Sequence, residues 1–351
     1  MRVMVTGGAG FIGRNLTEAL VTRGHEVVVV DNLARAGSER NLRSLVDHGI
    51  AGPLVAFRKV DVRDAAAVGA VMTEFASPFE AVVHLAGQTT VTDSITDPFE
   101  DFDVNACGTL TILEAVRKHA PSAHTIFAST NKVYGDLRSL RVERTQRRYV
   151  LPDHPDGISE TFPTNPATPY GCSKLAADCY VRDYAKTYDM ATTVFRMSCV
   201  YGKWQNGTLG QGWVSWFVRS ALLGSELTVY GDGLQVRDLL HVDDLVEACL
   251  GVIIGRKGVG EVFNLGGGAA FSLSVWAEFG MLLEDMLGRR IPVRYDRRRL
   301  ADQDVYISDC QKLSAALAWK PRRSPSEGLS ELIDWMGGSV RAETTTDVRL
   351  R

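Results

Sequence analysis

No apolar run in this sequence approaches the roughly 18 residues that a membrane-spanning helix needs, so no membrane partner is expected. Net charge is nearly absent as well, at −3, and that balance gives no electrostatic case for nucleic acid as a partner. The six cysteines, Cys107, Cys172, Cys179, Cys199, Cys249 and Cys310, include no Cys-x-x-Cys pair and no histidine at zinc spacing. Buried free thiols, a cytoplasmic location and no metal site are therefore expected. No leader is visible ahead of the first strand-like residues, and none is expected. No internal repeat is seen.

What is present is the composition of an ordinary globular protein, 45% apolar and 23% charged over 351 residues. That length suits one large α/β domain with a smaller lobe, or two modest domains. Residues 2–6 read as a short buried strand. Gly7-Gly8-Ala9-Gly10-Phe11-Ile12-Gly13 follows directly, and residues 14–23 continue as a helix. Gly7 permits a tight turn, Gly10 lets a pyrophosphate approach the backbone, and Gly13 lets the helix pack closely. The N–H groups at the helix start suit phosphate. A second strand at 26–30 ends on Asp31, whose carboxylate can accept from both adenosine ribose hydroxyls and repels a 2′-phosphate. This favours NAD over NADP, a preference that nearby Arg35 slightly weakens.

Further strands are expected at 54–60, 81–87, 124–128, 192–196 and 261–265, with long helices at 97–119 and 170–188. Asp61 either addresses the adenine edge or leads into the helix near Asp64. Ala86 and Gly87 suit close passage of a cofactor. His84, inside an apolar strand, reads as a satisfied core histidine. Asn105 could hold the turn after the fourth or the fifth strand. The fold class is α/β, a Rossmann-type doubly wound parallel sheet with a smaller mixed α/β C-terminal substrate lobe. The expected division is 1–197 for the dinucleotide, interrupted by an irregular insertion at 136–169, and 198–340 for an interleaved substrate lobe. Residues 231–244 are expected to return to the sheet, and 341–351 to form a disordered polar tail. The five prolines of the insertion mark it as irregular, with a role in shaping or covering the substrate. Basic runs at 138–148 and 289–299 read as solvated faces that could still meet an anion.

The chemistry gathers between Ser129 and Lys174. Tyr170 and Lys174, four apart, share a helix face. The ammonium can stabilise a phenolate and lower the tyrosine pKa from about 10 toward neutrality. With the Thr130 hydroxyl they form machinery for moving a proton at a sugar alcohol while a hydride leaves or returns. Lys132 could touch substrate, or could be an ordinary turn lysine.

These features together resemble the extended short-chain dehydrogenases/reductases acting on nucleotide sugars. The resemblance rests on Thr6-Gly-Gly-Ala-Gly-Phe-Ile-Gly13, Asp31-Asn32-Leu33, Thr130 with Val133-Tyr134-Gly135, Tyr170 with Lys174, and Arg237-Asp238 with His241-Val242. Within that family, Ser129-Thr-Asn-Lys-Val-Tyr-Gly-Asp136, Tyr170-Gly-Cys-Ser-Lys-Leu-Ala-Ala-Asp178, Arg196-Met-Ser-Cys-Val-Tyr-Gly202 and Gln211-Gly-Trp-Val-Ser-Trp-Phe217 are similar to the CDP-tyvelose (CDP-paratose) 2-epimerase group. The resemblance implies Thr130, Tyr170 and Lys174 as catalytic residues. It implies NAD contacts from Gly7, Gly10, Phe11, Ile12, Gly13, Asp31, Asn32, Asp61, Val62, Leu85, Ala86, Gln88, Asn105, Tyr170 and Lys174. Substrate contacts are implied for Thr130, Asn131, Lys132, Cys199, Arg237, Arg299 and Asp302, the arginines suiting a diphosphate. Cys199 stands where 4-epimerases usually carry Asn, and Trp204 where the family often has Arg.

The implied function is NAD-dependent epimerisation of a nucleotide sugar, a CDP-hexose at carbon 2, by transient oxidation to a keto-sugar. NAD would stay resident, and the assembly would be a homodimer. A carbon-4 epimerase would use the same trio. A 4,6-dehydratase usually carries an Asp-Glu pair after the threonine, where this chain has Asn131-Lys132. A non-catalytic nucleotide-binding protein would usually have lost Tyr170 or Lys174.

Overall fold

Strands that are apolar on both faces, alternating with helices, must be covered on both sides, which leads to a parallel sheet between helical layers. The computed structural model describes residues 1–348 apart from 48, 51 and 53, with backbone alone over 339–348. Seven parallel strands stand in the order Glu261–Leu265, Thr192–Met197, His124–Thr130, Ala81–His84, Arg2–Thr6, Glu26–Asp31 and Val55–Lys59. The expected doubly wound sheet is thus present. Its order reverses between Arg2–Thr6 and Ala81–His84, which pair from Val3 with Ala81 to Thr6 with His84. A ligand crevice opens at the carboxyl ends of strands flanking such a reversal.

Two apolar layers hold the sheet. One joins Val3, Val5, Leu16 and Leu20 to Leu245, Cys249 and Val252; the other joins Met4, Val28 and Val82 to Ile112, Val116, Ala177 and Val181. Each fully buried Val or Leu contributes about 1.5–3 kcal/mol, against about 1 kcal/mol net for a typical hydrogen bond. Apolar burial therefore fixes the frame on which the polar site is hung. Residues from the helix Val242–Gly255 lie in the first layer, and Glu261–Leu265 is the seventh strand, so the chain re-enters the first domain after residue 197.

The strand Val236–His241 does not join the main sheet, contrary to the expectation for 231–244. It pairs with Ser272–Ser274, Val305–Tyr306 and Cys199–Tyr201 in a second sheet, and the following helix makes the return. A parallel pair, Leu227–Tyr230 with Val293–Asp296, extends this lobe.

The insertion at 136–169 is anchored. It carries a small antiparallel pair, Glu143–Arg144 with Tyr149–Val150. Its Leu137, Leu151 and Ile158 are buried with Val236, Val305 and Tyr306. Arg148 donates to the Glu278 carboxylate and to Ser272, and the Ile158 N–H donates to the Ile307 carbonyl at 2.8 Å. The insertion thereby ties the catalytic segment to the second lobe. Much of the two basic runs is paired in the same manner, Arg138 with Asp136, Arg141 with Glu143, Arg290 with Glu284 and Arg298 with Asp304.

Three further expectations need correction. The helix Pro325–Val348 runs through most of the stretch expected to be a disordered tail, and 349–351 lie outside the described residues. Cys107, Cys172 and Cys179 are exposed free thiols, and only Cys249 is fully buried. The helical stretch from Pro98 to His119 contains a π-helical turn, Asp103–Cys107. Among the described residues no helix is long and apolar enough to cross a membrane.

Candidate active site

The dinucleotide side begins at the first turn. Gly7 has φ +67°, and a Cβ there would lie 2.7 Å from the Ala86 nitrogen; at Gly13 a Cβ would lie 2.3 Å from the Gly7 carbonyl oxygen. Both glycines are required by close backbone approach. At Gly10 the only near neighbour is the Gly7 oxygen at 3.0 Å, so its open side faces the crevice. The helix Phe11–Thr22 starts there, leaving the first-turn N–H groups without carbonyl partners one turn back. Phe11 and Ile12 pack their side chains on the core, so backbone is what they present.

Asp31 accepts from the N–H groups of Ala9 at 3.0 Å and Leu33 at 2.8 Å, one on each oxygen. Lone pairs remain on both oxygens for a diol. Arg35 turns its guanidinium to Thr89 and Gln211. Asp61 is taken by Arg63 and by Asn32 Nδ2 at 3.1 Å; the arginine holds its carboxyl well below the usual range. Asp64 caps the next helix through the Ala67 N–H. The Val62 side chain is buried against Gly108, Leu85 donates to the Thr6 carbonyl, and Gln88 is bonded on both ends of its amide to Thr90.

Asn105 sits on the π-helical turn, a geometry frequent at functional sites. Its amide nitrogen donates to Asp101 and Ser173, both at 3.1 Å. Its buried Oδ1 has no partner, and a Cβ on Gly87 would lie 2.8 Å from it. Together the open Gly10, the half-used Asp31 and this orphaned oxygen fit a dinucleotide. His84 is a core histidine, as expected. Thr109 donates its hydroxyl hydrogen to the Asn105 carbonyl, so it accepts from His84 Nε2–H, and Thr6 then donates to Nδ1. Burial pushes this ring down to about 3 and keeps it neutral.

The proton-moving groups meet where His124–Thr130 ends. Thr130 caps the short turn Asn131–Tyr134, accepting from the Lys132 N–H at 3.3 Å. Thr130 also acts on the Tyr170 phenol, favouring its ionised form. Tyr170 and Lys174 lie one turn apart on the helix Pro169–Thr187, which Thr168 caps through the Gly171 N–H. Ser94 takes the otherwise orphaned Tyr170 N–H at 3.1 Å. Lys174 is buried, with its ammonium 4.2 Å from the centre of the Phe127 ring. Burial pushes it down to about 7, and Asp101 and Asp178 oppose that fall. Tyr170 is pushed up to about 12 by burial, against the opposing influence of Thr130. This is the reverse of the direction expected for the tyrosine: among the protein's own groups, desolvation and Asp101 outweigh Thr130 and Arg35.

The substrate side collects segments far apart in sequence. Lys132 donates to Gln303 Oε1 at 3.1 Å, and Gln303 in turn donates to the Gly135 carbonyl at 2.7 Å. Arg237, Asp302, Cys199 and Arg299 all act electrostatically on Lys132, whose ammonium burial pushes down to about 8. Lys132 is therefore no solvated turn lysine. Arg237 donates to Asp302 and to the Val236 carbonyl, and Arg299 lies 4.0 Å over the Tyr230 ring. The Cys199 thiol accepts from the Trp213 indole at 2.8 Å and is pushed up to about 11 by burial. Asn131 is buried, bonded only at 3.4 Å to Thr130.

Sequence reasoning missed the framework beneath these groups. Asp178, fully buried, accepts from Arg196 and from Ser129. Arg196 reaches the Tyr134 hydroxyl at 3.1 Å, which donates to Asn264 at 2.7 Å. Asp101, Ser173 and Gln303 also had no assigned part. A buried acid one turn beyond Lys174 was the one signal available.

A sequence model of the NAD dependent epimerase/dehydratase family matches residues 3–266. The chain belongs to this family. It is 37% identical to a CDP-paratose 2-epimerase of Salmonella typhi, over 95% of this chain and 99% of that protein. It is 33% identical to a dTDP-glucose 4,6-dehydratase of Mycolicibacterium smegmatis, over 95% and 93%. A UDP-glucose 4-epimerase of Thermus thermophilus, solved in complex with NAD, superposes with a TM-score of 0.81 at 32% identity, covering 97% of this chain and 100% of that one. The expectation of an NAD-dependent enzyme of the nucleotide-sugar epimerase type is borne out by these relationships.

Proposed function

We propose that the chain inverts carbon 2 of a CDP-hexose, with NAD as a resident cofactor. The observation that carries this reading is the make-up of the turn after Thr130. The trio for alcohol oxidation is assembled, while Asn131 and Lys132 stand where elimination of water would call for carboxylates. The similarity to a CDP-paratose 2-epimerase supports the choice of base and carbon.

Gly7, Gly10, Gly13, Asp31 and Asn105 would hold NAD. When bound, NAD would supply a hydride acceptor and donor for the ring carbon, inversion requiring that the planar keto-sugar present its other face before reduction. Tyr170, as phenolate, removes the proton of the ring hydroxyl and later gives it back. Thr130 hydrogen-bonds the same oxygen. The Lys174 ammonium stabilises the phenolate. Lys132, Arg237 and Arg299 supply cations for the diphosphate and the sugar.

Residues 1–197 are assigned to the dinucleotide and 198–340 to an interleaved substrate lobe, of which Val242–Gly255 and Glu261–Leu265 pack with the first domain. A homodimer is supported by exposed Phe99 and Phe102 on Pro98–Phe102 and exposed Tyr180 on Pro169–Thr187. A cytoplasmic location agrees with the free thiols. The rival reading is a UDP-hexose 4-epimerase, supported by the likeness to the Thermus enzyme. Incubating the NAD-loaded protein with CDP-tyvelose and, separately, UDP-glucose distinguishes them by proton NMR. Interconversion of CDP-tyvelose and CDP-paratose is expected. Turnover of UDP-glucose alone would replace this reading with its rival.

A further inference from the structure

We propose that Asp101 is the positioning residue and counter-charge for Lys174, an assignment that rests on the Tyr170–Lys174 reading above. Asp101 lies on Pro98–Phe102 and is 1% exposed. Its two oxygens accept from Ser173 Oγ and, at 3.1 Å, from Asn105 Nδ2. Both partners are neutral. A carboxylate this deep is costly: burial raises its pKa, and Ser173, Lys174 and Asn105 oppose that rise, Lys174 being the one cation among them. The lysine ammonium and the Asn105 amide that holds Asp101 both stand beside Gly87. The other buried acid near Lys174, Asp178, already has the Arg196 guanidinium on both of its oxygens. Asp101 is thus the carboxylate whose charge is left for the lysine. Ser173 precedes Lys174 in the chain and is pinned by the same carboxylate, so one group sets both the charge and the rotation of this helix turn.

The other groups facing the pair are accounted for. Neutral His84 stands on Ala81–His84, the Phe127 ring on His124–Thr130, and Arg35 acts on Tyr170 from the second strand's exit. Asp101 raises the pKa of Tyr170 as well as that of Lys174. Removing its charge while keeping its shape therefore lowers both. With Tyr170 at about 12 and Lys174 at about 7, the phenolate–ammonium pair is a minor form whose share is bounded by those same two values, so both limbs of the pH–rate profile move the same way.

The test is the pH profile of kcat in NAD-loaded Asp101→Asn, with Asp101→Glu and Ser173→Ala alongside. The Asn variant is expected to shift both limbs to acid by about one unit, the low end of what a neighbouring charge does. The Glu variant should restore their positions, and Ser173→Ala should lower kcat without moving either limb. Independently of turnover, the Lys174 side-chain 13Cε resonance, assigned through Lys174→Met, should titrate about one unit lower in Asp101→Asn than in the parent protein. Unmoved limbs and an unmoved resonance would overturn the assignment. Should Asp101→Asn not fold, limbs displaced by Ser173→Ala, which keeps the charge, would overturn it equally. A parent protein with no epimerase activity while the resonance still shifts would instead retire the catalytic reading and leave the charge pairing in place.

Discussion

The dinucleotide side and the substrate side of this site are built by different means. The first is mostly backbone: glycines at close approach, helix N–H groups, and Asp31 with one bond per oxygen. The second is mostly side chain: Lys132 bonded to Gln303, Arg237 to Asp302, and Arg299 held by the Leu209 carbonyl and the Tyr230 ring, drawn from separated segments. Backbone cradles come ready made from a short stretch of chain, whereas the cationic pocket exists only after the second lobe has folded onto the first. Perturbing one side should therefore leave the other intact, except at the groups that join them.

The chief joint is the buried chain Asp178–Arg196–Tyr134–Asn264 at the main sheet. It reaches the other side where Tyr134 packs on Val236, Val305 and Tyr306 and Asn264 donates to the Ile158 and Asp309 carbonyls. Arg196→Met would strand the Asp178 carboxylate in the interior. Breaking such a pair costs about 3–5 kcal/mol, so urea unfolding should show a loss of that order, with cofactor retention and substrate binding falling together. Selective loss of one of the two would mean that the halves are less tightly joined than this chain of contacts implies.

Tyr170 belongs to the boundary in a different sense. Tyr170→Phe keeps the ring and the helix and removes only the acid–base hydroxyl. Turnover should drop by at least about 100-fold, with NAD content after purification unchanged. Near-normal turnover would remove Tyr170 from its part.

A reciprocal pair tests the separation directly. Gly13→Ala places a Cβ 2.3 Å from a backbone oxygen and should strip NAD from the protein. Arg237→Lys keeps the charge but loses the planar fork, and should raise KM about tenfold, the worth of one charge-assisted hydrogen bond, with NAD retention unaltered. Loss of NAD from the arginine variant would erase the distinction.

The same contrast explains what could be read from the linear text. The glycine turn, Asp31 and the Tyr170–Lys174 spacing are local patterns, and each is where it was expected. The seven-strand sheet was legible because its strands are uninterrupted apolar runs, such as Val27 to Val30. Gln303 meeting Lys132 across 171 residues leaves no periodic trace, nor does Asp101 beneath Ser173. The strand at Val236–His241 pairs in the second sheet, not the main one, and its sequence, Val-Arg-Asp-Leu-Leu-His, carries no local mark of which neighbours it will take. The direction of the Tyr170 shift was misjudged for a related reason: spacing reveals a neighbouring charge but not the depth at which the phenol is buried.

The smallest effect expected is also the most specific. Lys132 is lowered to about 8 in the folded protein from an ordinary lysine value of 10.5. Between those values the unfolded chain binds more protons than the folded one, so stability rises with pH across that window. Below about pH 8 the cost of the buried charge is present in full. If the ammonium serves substrate, affinity for the nucleotide sugar must fall over the same window, because the cation is being lost. Opposite signs in stability and affinity are therefore expected, the first measured by urea titration and the second by calorimetry at several pH values. Lys132→Gln should flatten both curves while Tyr170 and the NAD content stay as they were. An affinity independent of pH in the parent protein would reduce Lys132 to a strut for Gln303 and move the substrate's cationic contacts to Arg237 and Arg299.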